Sequence, residues 1–128
     1  AKNAQLRYVL TAALEYPFLN ASMLDDALNT LLLFKSDAVL SVRPDNKSYY
    51  RHTGHGLSSI LDQEKFTRLE REALYKGAGG LMLSTIKSFE KNLKINAGQI
   101  SHIVVDEKAA FGVHSEFDFQ IFEGLTMA

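Results

Sequence analysis

Apolar and polar positions along the first part of the chain follow the spacing of one strand and one helix. Residues 6–14 form a continuous apolar run, which is typical of a buried strand, and Pro17 then predicts a loop because proline fixes its own φ. Leucine and alanine recur at helical intervals from residue 23 to residue 34. Ser22 and Asp25 have the spacing of a capping box. We therefore predict a strand followed by a helix.

The middle of the chain changes from a strand pattern to a polar one. Residues 38–42 are rich in β-branched and apolar residues, so strand, helix and strand follow each other over a length typical of a crossover unit with parallel neighbouring strands. Residues 45–71 are polar and aromatic without a clear period, which predicts an excursion from the sheet, with a hairpin as one option. A glycine-rich segment at residues 77–80 precedes a short strand at residues 81–83.

The remaining pattern completes an α/β order. A helix is expected at residues 86–93 with Ser84 or Thr85 as its cap, and a strand at residues 100–105. Residues 111–114 suit a last short strand, and Ser115 with Asp118 opens a closing helix. Alternating strands and helices predict an α/β fold with a Rossmann-like mixed sheet flanked by helices. Residues 1–128 are expected to form a single domain or a domain fragment.

Composition narrows the classes of function. The chain has 128 residues, with 14 basic against 15 acidic side chains, so neither a nucleic-acid partner nor a membrane surface is expected. There is no Cys, which excludes disulfides, thiolate metal sites and thiol catalysis. The sequence has no apolar stretch of membrane-spanning length and no signal-peptide pattern at its first residues. A cytoplasmic location is the default expectation.

Several polar and glycine positions suit either chemistry or ordinary structure. The glycines of residues 77–80 would let a ligand approach the backbone, or they form a turn before a strand. His52 and His55 offer a metal at most two ligands and suit solvated loop positions. His114 and Asp118 could pair as imidazole and carboxylate on one helix face, or Asp118 could complement the helix dipole.

Arginines surround the polar excursion, and their guanidinium groups are suited to bidentate binding of carboxylate or phosphate. Arginines that formed exposed ion pairs with neighbouring glutamates would give the same sequence pattern. The four positions are Arg43, Arg51, Arg68 and Arg71.

The order of these motifs resembles the C-terminal part of the CMP-N-acylneuraminate synthetase and sugar cytidylyltransferase family over nearly the whole chain. The matching segments in the first half are the loop of Pro17, the Leu-Asp-Asp-Ala-Leu helix start at residues 24–28 and the Ser-Val-Arg-Pro strand ending at residues 41–44. Those in the second half are the glycine pair, Gly79 and Gly80, and the Gly-Val-His-Ser-Glu-Phe-Asp-Phe segment at residues 112–119. The resemblance implies binding of an acidic sugar, such as sialic acid or another nonulosonic acid. The substrate-binding residues that it implies are Arg43, Arg68, Arg71, Gly79 and Gly80.

The resemblance also implies a degenerate metal position. Family members carry an Asp-x-Asp pattern that holds Mg²⁺, and Gly112 and His114 stand at those two positions here, while Asp118 matches a downstream aspartate. Imidazole suits softer metals than Mg²⁺. The expectation is therefore no metal and no cofactor for this chain alone, with Mg²⁺ belonging to an active family member.

A second departure concerns the nucleotide. The family holds CTP with a Gly- and Lys-containing loop after its first strand, and no such segment occurs in this sequence. The resemblance implies that the chain begins partway through the domain and is inactive alone. It also implies a homodimer formed through residues 49–71. CTP and an acidic sugar are then expected as ligands of a longer form of the protein. The alternative is a small non-catalytic α/β module that binds an anionic small molecule or assembles as a homodimer. Whether the protein is an enzyme stays undecided by sequence.

Overall fold

The computed structural model of the protein describes residues 5–60 and 74–127. These residues form two compact units, one of residues 44–76 and one of the chain before and after them. The elements are β1 (Tyr8–Ala12), α1 (Ala21–Phe34), β2 (Ala38–Asp45), β3 (Tyr50–His52), β4 (Leu57–Ser59), β5 (Leu74–Thr85), α2 (Ile86–Asn92), β6 (Ile100–Val104) and α3 (Glu116–Thr126).

The larger unit is built on a four-stranded sheet with the order β1-β5-β2-β6. β1 runs antiparallel to β5, with Leu10 opposite Leu83, and β2 runs parallel to β6, with Ser41 opposite Ile103. Parallel and antiparallel pairs thus occur in one sheet. The predicted α/β fold with a Rossmann-like mixed sheet flanked by helices is confirmed.

Two expectations for the first strand are wrong. β1 lies at the end of the sheet and not beside β2, because β5 enters between them. Three of its five residues are exposed, so the apolar run belongs to an edge strand and not to a buried one. The local pattern predicted a strand correctly but carried no information on which strand would become its neighbour.

The helix α1 buries one stripe, formed by Met23, Ala27 and Leu31, on the core. It begins two residues earlier than predicted because the side chain of Asn20, and not the Ser22–Asp25 pair, caps its first turn by accepting a hydrogen bond from the Met23 N–H at 3.1 Å. The core cluster joins this stripe to β2, β5 and the residues after β6. Its members are Met23, Ala27, Leu31, Val39, Ala78, Leu81, Leu83, Val105 and Ala109.

Two further expectations fail around β5 and before α3. β5 starts at Leu74, so the glycine segment lies inside a strand and not in a turn before it. Residues 111–114 form no strand, because the segment is held by single backbone bonds, such as Val113 N–H to the Glu15 carbonyl at 2.8 Å, and not by a ladder. The predicted helices α2 and α3 are confirmed, with Thr85 and Ser115 as their caps.

The smaller unit contains an antiparallel hairpin of β3 and β4. Tyr50 lies opposite Ser59, and the Thr53 N–H donates to the Gly56 carbonyl at 2.9 Å across the turn. His52 Nδ1 accepts the Gly54 N–H at 3.1 Å, so this imidazole helps to shape the turn. Every residue of both strands is exposed. Within residues 5–60 and 74–127, no helix has the length and apolarity needed to cross a membrane.

Candidate functional site

Two consecutive glycines interrupt β5 with left-handed backbone. Gly79 has φ 82° and Gly80 has φ 66°, a conformation that other residues adopt only with strain. The hydroxyl of Ser41, on the neighbouring strand β2, spans this interruption. It accepts the Leu81 N–H at 2.9 Å and donates to the Ala78 carbonyl. A buried side chain therefore supplies the hydrogen bonds that a regular ladder would make.

The aromatic ring of Tyr16 lies against the open face of Gly80. A Cβ added at Gly80 would come within 2.6 Å of Tyr16 Cδ2 and 2.6 Å of Ala13 Cβ, so only glycine fits there without movement. The Ala13 N–H also donates to the Gly80 carbonyl at 3.0 Å, which ties the loop after β1 to β5. A Cβ at Gly112 would meet the same tyrosine, 3.0 Å from its Cε1. Tyr16 thus brings Gly80 and Gly112 together.

His114 also packs against Tyr16. The two rings meet edge to face, with centroids 5.8 Å apart and an interplanar angle of 79°. The backbone N–H of His114 donates to Asp118 Oδ2 at 3.1 Å, and Asp118 N–H donates to Ser115 Oγ at 3.1 Å. Ser115 therefore caps the start of α3, and the Asp118 side chain bonds to the backbone of His114 instead of its imidazole.

Aromatic packing holds the segment before α3 against the loop after β1. Phe18 contacts Phe111 and Phe122 with centroid distances of 6.4 Å and 5.8 Å, and the Lys108 ammonium lies 4.8 Å from the Phe18 centroid. Such contacts add to apolar burial through ring quadrupoles and a cation–π attraction. They explain why Gly112 and His114 reach Tyr16.

The residues at the degenerate metal position do not fit Mg²⁺. Gly112 offers no side-chain ligand, the His114 ring is packed edge to face on Tyr16, and the Asp118 carboxylate already accepts a backbone N–H. Asp106, which follows β6, accepts the Ala109 N–H at 2.7 Å and caps a turn. Mg²⁺ requires hard oxygen ligands in octahedral arrangement. Among the described residues, no group of three or more His, Asp or Glu could hold a metal ion.

Arg43 extends from the end of β2 and ties it to the chain after β6. Its Nη1 donates to the Val105 carbonyl at 2.7 Å, and a Cβ at Gly79 would lie 3.5 Å from Val105 Cγ2, so Arg43 and Gly79 share this neighbour. Arg68 and Arg71 lie outside the described residues.

The structure therefore groups the sequence-predicted positions into two neighbouring sets. Gly80, Gly112 and His114 lie next to Tyr16, and Asp118 is bonded to the His114 backbone, whereas Gly79 and Arg43 share Val105 as a neighbour. Sequence reasoning missed the part played by Tyr16, whose position depends on a tertiary approach. It also missed Ser41, although a hydroxyl residue inside the apolar run of β2 was a usable signal.

An open groove of about 350 Å³ lies elsewhere on the larger unit, between α1 and the edge strand β6. Asp26, Thr30 and Leu33 line its helix side, and His102 and Val104 line its strand side. It contains none of the glycine or arginine positions that the sequence singles out.

In the smaller unit, the hydroxyl of Tyr49 donates to the carboxylate of Asp45, which also accepts the Lys47 N–H at 3.1 Å. These hydrogen bonds, that of Tyr49 first, hold the pKa of Asp45 below its ordinary value of 3.8. The same contact raises the pKa of Tyr49 above its ordinary value of 10.0. Asp45 is half-buried and Tyr49 is 39% exposed, so solvent reaches this contact.

Comparison with known proteins gives a similarity of fold. No protein-family model matches the chain, and no curated protein matches it. Among solved structures, it is similar to 2-C-methyl-D-erythritol 4-phosphate cytidylyltransferase from Thermus thermophilus, with a TM-score of 0.59 and 14% sequence identity. The match covers 99% of this chain and 65% of that enzyme, so the chain spans about two thirds of its neighbour's length. The chain has a cytidylyltransferase-like fold.

Proposed function

We propose that this chain is the sugar-binding, dimer-forming portion of a CMP-sugar synthetase-like cytidylyltransferase and is inactive by itself. The observation that carries the proposal is the fold match, which covers nearly all of this chain but only 65% of the neighbouring cytidylyltransferase. A third of that architecture thus has no counterpart in residues 1–128. We assign the nucleotide-holding part to this remainder.

The proposed sugar site includes Arg43 and Gly79, which both lie beside Val105, together with Gly80. Arg43 uses one of its guanidinium donors on the Val105 carbonyl, which fixes the side chain, and the others are suited to a sugar carboxylate. Gly79 is buried, with the Ser41 hydroxyl and Val105 where its Cβ would stand, so it belongs to the proposed site by resemblance. Arg68 and Arg71 complete the proposed set by resemblance.

Inactivity follows from the chemistry of positions 112, 114 and 118. Cytidylyl transfer needs a divalent ion that neutralises charge on the triphosphate, and one carboxylate with an imidazole does not supply its oxygen ligands. A mixture of the chain with CTP, N-acetylneuraminate and Mg²⁺ should release no pyrophosphate above a protein-free control. Release that rises with protein concentration would contradict the proposal.

Sugar binding is tested by amide NMR with N-acetylneuraminate as the probe. We expect saturable shifts at the amides of Gly79, Gly80 and Val105, and we expect Arg43→Lys to weaken them because it loses the bidentate fork. 2-C-methyl-D-erythritol 4-phosphate and inorganic phosphate serve as comparison ligands. Equal shifts with all three anions would favour the alternative of a general anion-binding module, and no shift at millimolar N-acetylneuraminate would end the sugar proposal.

A further inference from the structure

The groove between α1 and β6 is built from one face of the helix and one stretch of the strand. Its helix residues stand at positions i, i+3, i+4 and i+7 of α1, so they share one face beside the buried stripe. They are Asp26, Asn29, Thr30 and Leu33, and residues 102–104 of β6 form the opposite wall. From Asp26 to Leu33 the helix rises about 10 Å, so the groove has the length of a small organic molecule.

The walls of this groove combine one negative charge with uncovered apolar surface. Asp26 is exposed, and its carboxylate has no hydrogen bond or ion pair with any residue that the structure describes. Leu33 on the helix is 76% exposed, and Val104 on the strand is 56% exposed. Among the described residues that line the groove, none is Lys or Arg. The negative charge of Asp26 is therefore not balanced by a lysine or arginine within the groove.

Two polar side chains stand between the carboxylate and the leucine on the same helix face. Within the described parts of the chain, neither the amide of Asn29 nor the hydroxyl of Thr30 makes a hydrogen bond. Each offers an oxygen that accepts hydrogen bonds, whereas an ammonium offers three N–H donors and a guanidinium five. A cationic group placed at Asp26 would therefore find further acceptors beside the carboxylate.

We propose that this groove binds a small organic cation, in which an ammonium or guanidinium group is attached to an apolar body. The cationic group pairs with Asp26, and the apolar body covers Leu33 and Val104, where removal of apolar surface from water stabilises the complex. A length of about 10 Å holds only about three residues of an extended peptide, which favours a small ligand. The charge of Asp26 disfavours an acidic sugar, so this site is distinct from the proposed sugar site.

The test uses probes that share a phenylbutyl body and differ in charge, namely 4-phenylbutylamine, 4-phenylbutanol and 4-phenylbutyrate. Amide NMR is recorded at low salt and about pH 8, where ordinary imidazoles are neutral. We expect the amine to give saturable shifts at Thr30, Ile103 and Val104, with a dissociation constant on the order of a millimolar because ligand and groove are small. The alcohol should bind about threefold more weakly, since an exposed ion pair contributes little, and the butyrate more weakly still. Absence of saturable shifts with the amine, or equal affinity for all three probes, would overturn the proposal.

Two neighbouring aspartates provide a matched pair of variants. Both are exposed on α1, but only Asp26 lines the groove, whereas Asp25 does not. Asp26→Asn should remove the preference for the amine over the alcohol, and Asp25→Asn should leave it unchanged. Leu33→Ala should weaken both probes by a similar factor, because both cover the same apolar surface, and circular dichroism checks that the fold is kept. A preference that survives Asp26→Asn, or that Asp25→Asn removes equally, contradicts the assignment. None of these outcomes changes the sugar-binding test, which uses an anionic probe and other amides.

Discussion

Ser41 is the residue on which the glycine interruption of β5 depends. Its hydroxyl satisfies one buried N–H and one buried C=O, so Ser41→Ala leaves both without a partner. We expect the free energy of unfolding to fall by about 1–3 kcal/mol. Ser36 is a matched control, because it is 4% exposed against 3% for Ser41, and its hydroxyl has no hydrogen-bond partner among the described residues. Urea unfolding should show Ser36→Ala unchanged or slightly more stable; equal losses in both variants would contradict the role of Ser41.

The Asp45–Tyr49 contact predicts a local pH dependence in the smaller unit. The pKa of the Asp45 carboxyl is lowered, so the contact is fully formed above 3.8 and is lost as the pH falls through the lower folded value. NMR titration of the carboxyl carbon should give a midpoint below 3.8, and Tyr49→Phe should move it upward. Tyr50→Phe should leave the midpoint unchanged. A midpoint unaffected by Tyr49→Phe would show that the hydroxyl is not its cause.

At the scale of elements, the contact between β5 and the loop after β1 is a steric one. Gly80→Ala forces a left-handed alanine, which costs about 1–2 kcal/mol, and drives its Cβ into Tyr16 and Ala13. In a Tyr16→Ala background part of this cost should disappear, because the ring is gone, so a double-mutant cycle should give a clear coupling energy. Gly77→Ala meets nothing within 4 Å and should be neutral. Additive losses would mean that Tyr16 does not confine Gly80.

The start of α1 gives a direct comparison of two candidate caps. Asn20→Ala removes the acceptor for the Met23 N–H and should cost about 1 kcal/mol of unfolding free energy. Ser22→Ala lies within the helix and should cost little, since alanine is the better helix former. Thermal unfolding of the two variants distinguishes them. A larger loss from Ser22→Ala would restore the capping box that the sequence predicted.

Elements with a strong local period could be predicted from the sequence, whereas the elements that pack beside them in the fold could not. The helix α1 and the Ser115 start of α3 depend on residues a few positions apart, and both are confirmed, although the buried stripe of α1 is Met23, Ala27 and Leu31 and Leu32 is exposed. The place of β1 depends on β5, which follows about 70 residues later, and no local pattern encodes that choice. The glycine pair could be found from composition, but its partner Tyr16 could not, because only the folded chain brings them together.

At the scale of the whole molecule, the fold match concerns part of a larger architecture. The cytidylyltransferase-like arrangement includes 99% of this chain but 65% of the solved enzyme. A binding result obtained with residues 1–128 therefore concerns this part of the architecture alone.

The position that the resemblance assigns to a metal can be tested by adding carboxylates to it. Gly112 has no left-handed backbone, and replacing His114 removes the ring that a Cβ at Gly112 would meet; Tyr16, whose Cε1 would lie 3.0 Å from this Cβ, must still shift slightly. The double variant Gly112→Asp with His114→Asp would place three carboxylates on residues 112, 114 and 118, a donor set that suits hard cations. We expect Mn²⁺ to broaden the Asp118 amide signal in this variant and not in the natural chain, with competition by Mg²⁺. Adding Asp118→Asn should weaken the effect. Comparable, Mg²⁺-sensitive broadening in the natural chain would show that one carboxylate and one imidazole already hold the ion, and the assignment of inactivity to these positions would then be wrong.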